Sequence, residues 1–490
     1  MLPKRDILII TAGRALQIIT TFVSVRVFTS YLSKLEVGNL YLINSLLAFF
    51  IWTLINPIGM YINRNMHRWA DEGSILDHFF LYNGYLLLIS ILSIIVVFAG
   101  HAWLHIGSSI DLSFLILFIM FSLYVNTWFT TITPSLNLLN YRVSFVVFTS
   151  IALVGGLLLS YFMVRIVRAS ALHWLYGQLI AQCIVAIPAF LYFKKATHSY
   201  FHFKNVRSFL SRERIAYLLY FILPLGVTTF MIWTQNQSYR LILENTAGLE
   251  FLGYIGLGTA IASQIASAIE SIMQQLYYPA FYSNINTHDI VKRTAAWNDL
   301  ARVTIPAYLS LTLFVSCLAP FLVNIFASDK FAQATIFVVA GAWIELFRMT
   351  TTVLSSVAHA EMNTKSLIKP YAVGGAFTVL GVYLGSKYQV HERIIPIILF
   401  TGGLITVVIM YSDMKKLMSL SLGSDRITKA LLLSLPFGLA IFAYPRTSHL
   451  ISSVAVTGVA GLYFLLIQYV LYREGPQSGS PAKIAERGQR

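Results

Sequence analysis

The sequence has few charged residues and almost no cysteine. Only 11% of its 490 residues are charged, against roughly 25% in soluble domains, and its two cysteines fall inside apolar segments. They therefore provide no disulfide framework or metal site. The sequence also has no H-E-x-x-H and no G-x-x-x-x-G-K-[ST], which excludes the common zinc-protease and ATP-loop signatures. We expect no catalytic residue, no metal and no cofactor, although transport coupled to H⁺ or Na⁺ would need none.

Long apolar runs make up most of the chain, 57% of which is hydrophobic. Runs of about 20 residues cross a hydrocarbon core of about 30 Å as helices. The sequence predicts an all-α polytopic membrane protein with about fourteen spans. The predicted spans are 7–31, 38–62, 78–101, 111–133, 143–165, 171–193, 215–243, 251–278, 297–326, 333–359, 367–388, 394–414, 427–445 and 449–472.

The net charge of +15 is distributed unevenly between alternate connections. If the N-terminus is cytoplasmic, most lysine and arginine residues fall on the cytoplasmic side, and segment 194–214 is the richest in them. This asymmetry is the positive-inside pattern, and it predicts that both termini are cytoplasmic. The basic charge is thus explained by orientation, so no nucleic-acid partner is expected. The first helix is too long and polar to be a cleaved signal.

Connection length predicts the domain organisation. We expect an N-terminal six-helix lobe at 1–193, a basic cytoplasmic linker at 194–214 and a C-terminal six-helix lobe at 215–414. A further helix pair at 415–472 and a disordered cytoplasmic tail at 473–490 would follow. The segments 26–38 and 240–253 both run from Arg through Glu ten residues later to Gly. This match predicts a repeat, with the cargo handled at the interface between the repeats.

Four arginines, Arg14, Arg26, Arg240 and Arg348, lie within the apolar spans. An arginine at a helix centre costs roughly 2.5–3.5 kcal/mol, less near a helix end, so these side chains should face a bundle interior or a wet cavity. Cationic groups in a cavity favour an anionic cargo. Arg14, Gln17, Thr21 and Ser24 form one polar stripe, which either lines the cavity or holds Arg14 against a carboxylate.

Two further polar features fall in the second half. The run 235–240, from Gln235 to Arg240, either lines a cavity or marks an early end of the seventh helix. Glu270 either carries a coupling proton or pairs with one of the arginines. Glu345 and Arg348, three residues apart, can pair within their helix, and Glu345 is the second candidate for coupling.

Several segments resemble the polysaccharide-transporter branch of the multidrug/oligosaccharidyl-lipid/polysaccharide flippase superfamily. The resemblance covers about 1–365 and rests on degenerate motifs at 31–38, 56–64, 240, 252–255, 265–267, 279 and 328–332. It implies two six-helix lobes around a central cavity, alternating access and a cargo of sugars on a polyprenyl pyrophosphate. The family often has Asp-Arg where this chain has Tyr239-Arg240, so the role of that acid is absent here or moved to Glu244 or Glu270.

The resulting expectation is a flippase for an undecaprenyl-pyrophosphate-linked oligosaccharide, such as an O-antigen unit for lipopolysaccharide, in the bacterial inner membrane. The candidate cavity residues are Arg14, Gln17, Arg26, Arg64, Gln235, Arg240 and Arg348. The expected partners are the lipid-linked oligosaccharide, membrane lipids, and glycan polymerase and chain-length proteins. The alternatives are a cation-coupled multidrug exporter of the same superfamily and a membrane glycosyltransferase or polymerase. Carboxylate-poor spans disfavour the exporter, and the lack of a large outer loop or acidic metal motif disfavours the enzyme.

Overall fold

Helices account for nearly all of the structure, a computed structural model that describes residues 4–197, 201, 211–285, 289–388, 391–443 and 449–473. Within these ranges there is no β-strand. The first half contains α1 (Lys4–Tyr31), α2 (Lys34–Asp71), α3 (Ile75–Leu104), α4 (Leu112–Leu138), α5 (Arg142–Val167), α6 (Ala171–Thr197), α7 (Arg212–Asn236) and α8 (Tyr239–Thr246). The second half contains α9 (Leu249–Ile285), α10 (Ile290–Phe326), α11 (Thr335–Ala360), α12 (Ile368–Gly385), α13 (His391–Lys415), α14 (Ser424–Ser434), α15 (Leu439–Ala443) and α16 (Leu450–Arg473). The all-α polytopic membrane fold is confirmed.

Each of the fourteen predicted spans contains helix in the part of the chain that the structure describes, although the seventh is broken at Gln237 and Ser238. Twelve helical segments there are long and apolar enough to cross a membrane. The first predicted span is the continuous helix α1. The thirteenth is interrupted, because a 3₁₀ turn at Leu435–Gly438 separates α14 from α15. The cytoplasmic tail predicted at 473–490 and most of the linker at 194–214 lie outside the described residues.

Chain contacts divide the protein into two compact units, 1–253 and 254–490. In the first unit α5 packs against α1 and α6, α4 packs against α3 and α6, and α7 packs along α2. In the second unit α10 packs against α11, α14 and α16, and α13 packs against α11 and α12. These units divide the chain at a different position from the lobes predicted at 1–193 and 215–414, which stay a prediction.

Side-chain caps fix where several helices begin. The hydroxyl of Ser33 accepts the amide N–H of Glu36 at 3.2 Å, and Asp111 accepts the amides of Ser113 and Phe114. Such caps satisfy N–H groups that have no partner within the helix. The side chain of Glu36 does not complete a capping box, since its Oε2 accepts the N–H of Ala171 at 2.7 Å. The start of α2 is therefore bonded to the start of α6.

The second helix contains one wide π-helical turn, Ile51–Ile55. Pro57 has no N–H to donate to the carbonyl of Thr53 four residues earlier, and such a gap is a common cause of helix distortion. The hydroxyl of Tyr85 in α3 donates to the neighbouring carbonyl of Leu54 at 2.7 Å. Gly226 of α7 packs against Thr53 at the same level.

The starts of α2 and α9 pack against each other through glycine. A Cβ on Gly38 would strike the carbonyl of Leu249, and a Cβ on Gly253 would strike the carbonyl of Lys34. Each carbonyl belongs to the residue four positions before the other glycine, so the contact is reciprocal. The contact involves the segments in which the sequence predicts a repeat. Superposition of the whole halves stays a prediction.

Candidate functional site

Arg14 is an exposed residue of α1, and its side chain lies beside α5. Its Nη1 donates to Oε1 of Gln17 at 3.2 Å, and its guanidinium carbon lies 5.4 Å from the centre of the Phe145 ring. Gln17 in turn donates to the hydroxyl of Thr149 at 2.9 Å. No carboxylate forms an ion pair with Arg14 among the described residues. The paired alternative is therefore not observed there, and cavity lining stays a prediction.

Arg240 is held by neutral groups at the junction of α2, α7 and α8. Its Nη1 donates to Oε1 of Gln237 at 2.8 Å and to the hydroxyl of Ser45 at 3.3 Å. Its guanidinium carbon also lies 5.5 Å from the ring centre of Tyr41 and 5.6 Å from that of Tyr239. Cation–π contacts of this kind stabilise a positive charge by roughly 0.5–2 kcal/mol without neutralising it. Within the described part of the chain Arg240 has no carboxylate partner.

The break beside Arg240 decides between the two interpretations of the polar run. Helix α7 ends at Asn236, and α8 begins at Tyr239. The early helix end is thus confirmed. Ser238 and Gln237 at the break donate their amides to the carbonyl of Trp233. Just after this interruption, Arg240 contacts Ser45 and Tyr41 of α2.

The other three predicted cavity residues of the first unit occupy different surroundings. Arg26 is half-buried, and its carbonyl accepts the hydroxyls of Thr29 and Ser30. Arg64 is exposed, with its guanidinium carbon 5.9 Å from the ring centre of Phe221. Gln235 is buried in the last turn of α7. Their roles in binding stay predictions.

Arg348 differs from the other arginines because two carboxylates bind it. Its Nε donates to Oε2 of Glu345 at 2.6 Å, and its Nη2 donates to Oε2 of Glu270 at 2.7 Å. The pairings predicted for Glu345 and Glu270 are both confirmed. With one cation and two ionised carboxylates the triad carries a formal charge of −1. Arg348 is therefore neutralised in this structure, and its predicted contact with cargo is not tested.

Tyr41, Ser45, Thr149 and Phe145 contribute to the arginine clusters and were not among the predicted residues. A signal did exist for Tyr41 and Ser45, because two polar-capable residues four positions apart share a face of an apolar helix. Thr149 and Phe145 also lie four apart on α5. Nothing in the sequence of α5, however, shows that this face meets α1.

Glu244, one of the two positions suggested for a moved acid, is buried in α8. Its Oε1 accepts the amide N–H of Gly107, in the connection between α3 and α4, at 2.7 Å. No ion pair involves this carboxylate among the described residues. Glu244, four positions after Arg240, thus contacts a backbone amide.

No family model matches the sequence, and no curated protein matches it. Solved structures do. The lipid II flippase MurJ, in an inward closed conformation, matches with a TM-score of 0.63 and 13% identity over 95% of this chain and 99% of that chain. An inward-facing multidrug resistance MATE family transporter of the MOP superfamily matches with a TM-score of 0.56 and 12% identity over 85% of this chain and 96% of that one.

The chain has the MOP-type fold. The likeness to MurJ extends over nearly the full length of both chains, so it includes the C-terminal helices that the sequence placed outside the two lobes. The MOP-type fold agrees with the superfamily that the sequence resembles, and at 12–13% identity it establishes architecture alone. Function must be argued from the residues of this chain.

Proposed function

We propose that this protein is a flippase that moves an undecaprenyl-pyrophosphate-linked oligosaccharide across the bacterial inner membrane by alternating access. The cargo would be a repeat unit for O-antigen or another polysaccharide, supplied to a glycan polymerase and its chain-length partners. Both termini would be cytoplasmic, as the positive-inside pattern predicts.

The observation that carries the proposal is that Arg14 and Arg240 have neutral partners and no carboxylate partner among the described residues. Both lie in spans that the sequence predicts, and both contact amide, hydroxyl or aromatic groups in place of carboxylates. Their positive charges remain uncompensated within the described residues. A cation within an apolar span and without a counter-charge is costly, and an anionic cargo would supply the missing charge.

Pyrophosphate fits these groups chemically. Arginine presents a planar fork of N–H donors that binds two oxygens of one phosphate, and it keeps its charge in apolar surroundings. Amide and hydroxyl groups such as those of Gln17 and Ser45 can exchange their present bonds for bonds to phosphate or sugar oxygens. Such an exchange lowers the cost of taking a polar headgroup across lipid.

Replacing Arg14 tests this proposal. Arg14→Ala should reach the membrane in near-normal amount, because its present partners are neutral, yet fail to restore surface glycan in a flippase-null strain. Arg14→Lys keeps the charge but loses the fork, so partial export is expected. Arg142→Ala, which changes a partly buried arginine bonded to the side chain of Asn140 at the start of α5, is the matched control and should export normally. Normal export by well-expressed Arg14→Ala would refute the cargo role of Arg14.

A second candidate, a cation-coupled multidrug exporter, is favoured by one observation in the second unit. The Glu270–Arg348–Glu345 triad carries more negative than positive charge, and carboxylates suit cationic drugs. The structural similarity to a multidrug resistance MATE family transporter is compatible with an exporter as well. Accumulation of ethidium in cells with and without the protein separates the two functions. Efflux lost in Glu345→Gln, together with no effect on surface glycan in the null strain, would favour the exporter.

A further inference from the structure

A groove opens on the wall of the first unit between α4, the end of α5 and α6. It encloses a cavity of about 590 Å³, within the range of roughly 300–1,000 Å³ that ligand sites occupy. The walls are apolar and consist of Phe114, Leu117, Phe121, Val167 and Ile180. Phe114 is 58% exposed and Val167 is 61% exposed. Because these helices are long and apolar enough to cross a membrane, this exposed wall suits hydrocarbon chains.

The mouth of the groove is polar and lies at the helix ends, where headgroups would lie. Arg168 is exposed there and forms no ion pair among the described residues. His173 lies beside it, with Nδ1 2.7 Å from the hydroxyl of Ser170. Two carboxylates also line the mouth. Glu36 accepts the amide of Ala171 through Oε2, and Asp111 caps α4 through Oδ1.

We propose that this groove binds one glycerophospholipid with a phosphoethanolamine headgroup. Arg168 and His173 would hold the phosphate, the carboxylates of Glu36 and Asp111 would accept the ammonium N–H groups, and the acyl chains would lie along Phe114, Phe121 and Val167. This site is separate from the arginine clusters assigned to the cargo.

The charges at the mouth select this headgroup over the other common ones. A phosphatidylglycerol headgroup has one negative charge and no cation, so two carboxylates would repel it. A choline headgroup has a cation without N–H donors, so it cannot donate hydrogen bonds to Glu36 or Asp111. Phosphoethanolamine carries both an anion for Arg168 and a donor cation for the acids, and charge-assisted bonds of both kinds are the strong ones.

Native mass spectrometry of the full-length protein tests the proposal. The protein is reconstituted in vesicles with equal amounts of phosphatidylethanolamine and phosphatidylglycerol, extracted gently and weighed with its retained lipid. The wild-type protein should retain one phosphatidylethanolamine. Arg168→Gln should lower that retention at least about tenfold, since a charge-assisted bond is lost. Ile180→Trp should lower it by filling the groove.

The matched control is Ile187→Trp, two turns further along α6 at a lipid-exposed position outside the groove, and it should retain lipid as the wild type does. Equal retention by Arg168→Gln and the wild type would overturn the proposal, as would preference for phosphatidylglycerol. Displacement of the retained lipid by added undecaprenyl diphosphate would also overturn it, because the groove would then belong to the cargo path.

Discussion

The arginines that lie within predicted apolar spans occupy two different electrostatic environments in this protein. Arg348 is bound by Glu270 and Glu345, with about a third of its side chain still exposed. Arg14 and Arg240 are held by amides, hydroxyls and aromatic rings. The first environment resembles a structural ion pair, which resists removal of one partner. The second leaves charge available for a ligand.

Substitutions of the triad should therefore affect folding first. Arg348→Ala leaves two buried carboxylates facing each other and should destabilise the protein by roughly 3 kcal/mol, the lower end for a broken buried pair because Arg348 is partly exposed. The double variant Arg348→Ala/Glu270→Gln should recover part of the loss. The amount of folded protein after heating in detergent measures the loss in the single variant and the recovery in the double variant. Full stability of Arg348→Ala would contradict the structural role, and Arg14→Ala serves as the comparison because no loss is expected there.

Helix ends and glycine contacts control how the elements meet. Gly38 and Gly253 bring the starts of α2 and α9 close enough that each faces a backbone carbonyl of the other helix. The neighbouring ion pair of Lys34 and Glu250, 3.1 Å between Nζ and Oε1, is largely exposed and contributes little. The close backbone approach therefore contributes more than the ion pair to the packing of α2 against α9.

A methyl group at the reciprocal contact should separate the helices. Gly38→Ala and Gly253→Ala each place a Cβ against a carbonyl that cannot rotate away, so we expect a loss of roughly 1–3 kcal/mol. Gly84→Ala is the matched control, because nothing lies within 4 Å of its added Cβ in α3. The control should be neutral or slightly stabilising, since alanine favours helix. Thermal unfolding in detergent compares the three, and equal midpoints would show that the contact is not tight.

At the scale of the whole molecule, orientation is set by charge and length together. Twelve described segments are long and apolar enough to cross the membrane, and basic residues concentrate in alternate connections. The last helix is part of the second unit, since Gln468 donates to Ser310 of α10 at 2.7 Å and Asn324 donates to Ser453 at 2.9 Å. It is thus an integral part of the fold.

Cysteine labelling tests the orientation at two exposed positions. Cys183 and Cys317 are first replaced by alanine. Ser108→Cys, between α3 and α4, should react with an impermeant reagent in intact spheroplasts. Lys365→Cys, between α11 and α12, should react only after permeabilisation. The reverse pattern would contradict the predicted orientation.

The sequence by itself determined the all-α polytopic class and the approximate positions of the spans, because spans must be apolar over about 20 residues and every backbone group in lipid must be bonded within a helix or a closed barrel. It also located the arginines within the apolar spans and the pairing of Glu345 with Arg348, since residues three apart share a helix face. The break near Arg240 was visible as one of two alternatives, because a run of polar residues is unfavourable on a lipid face.

Only the tertiary structure decided which groups meet across helices. Glu270 and Arg348 are 78 positions apart, and Gln17 and Thr149 are 132 apart. Their contacts depend on how α9 packs against α11 and α1 against α5. The α4–α6 groove likewise exists only because three helix ends meet around Arg168. Periodicity shows which face of a helix is polar, but the neighbouring helix determines whether that face finds a carboxylate, a ring or an amide.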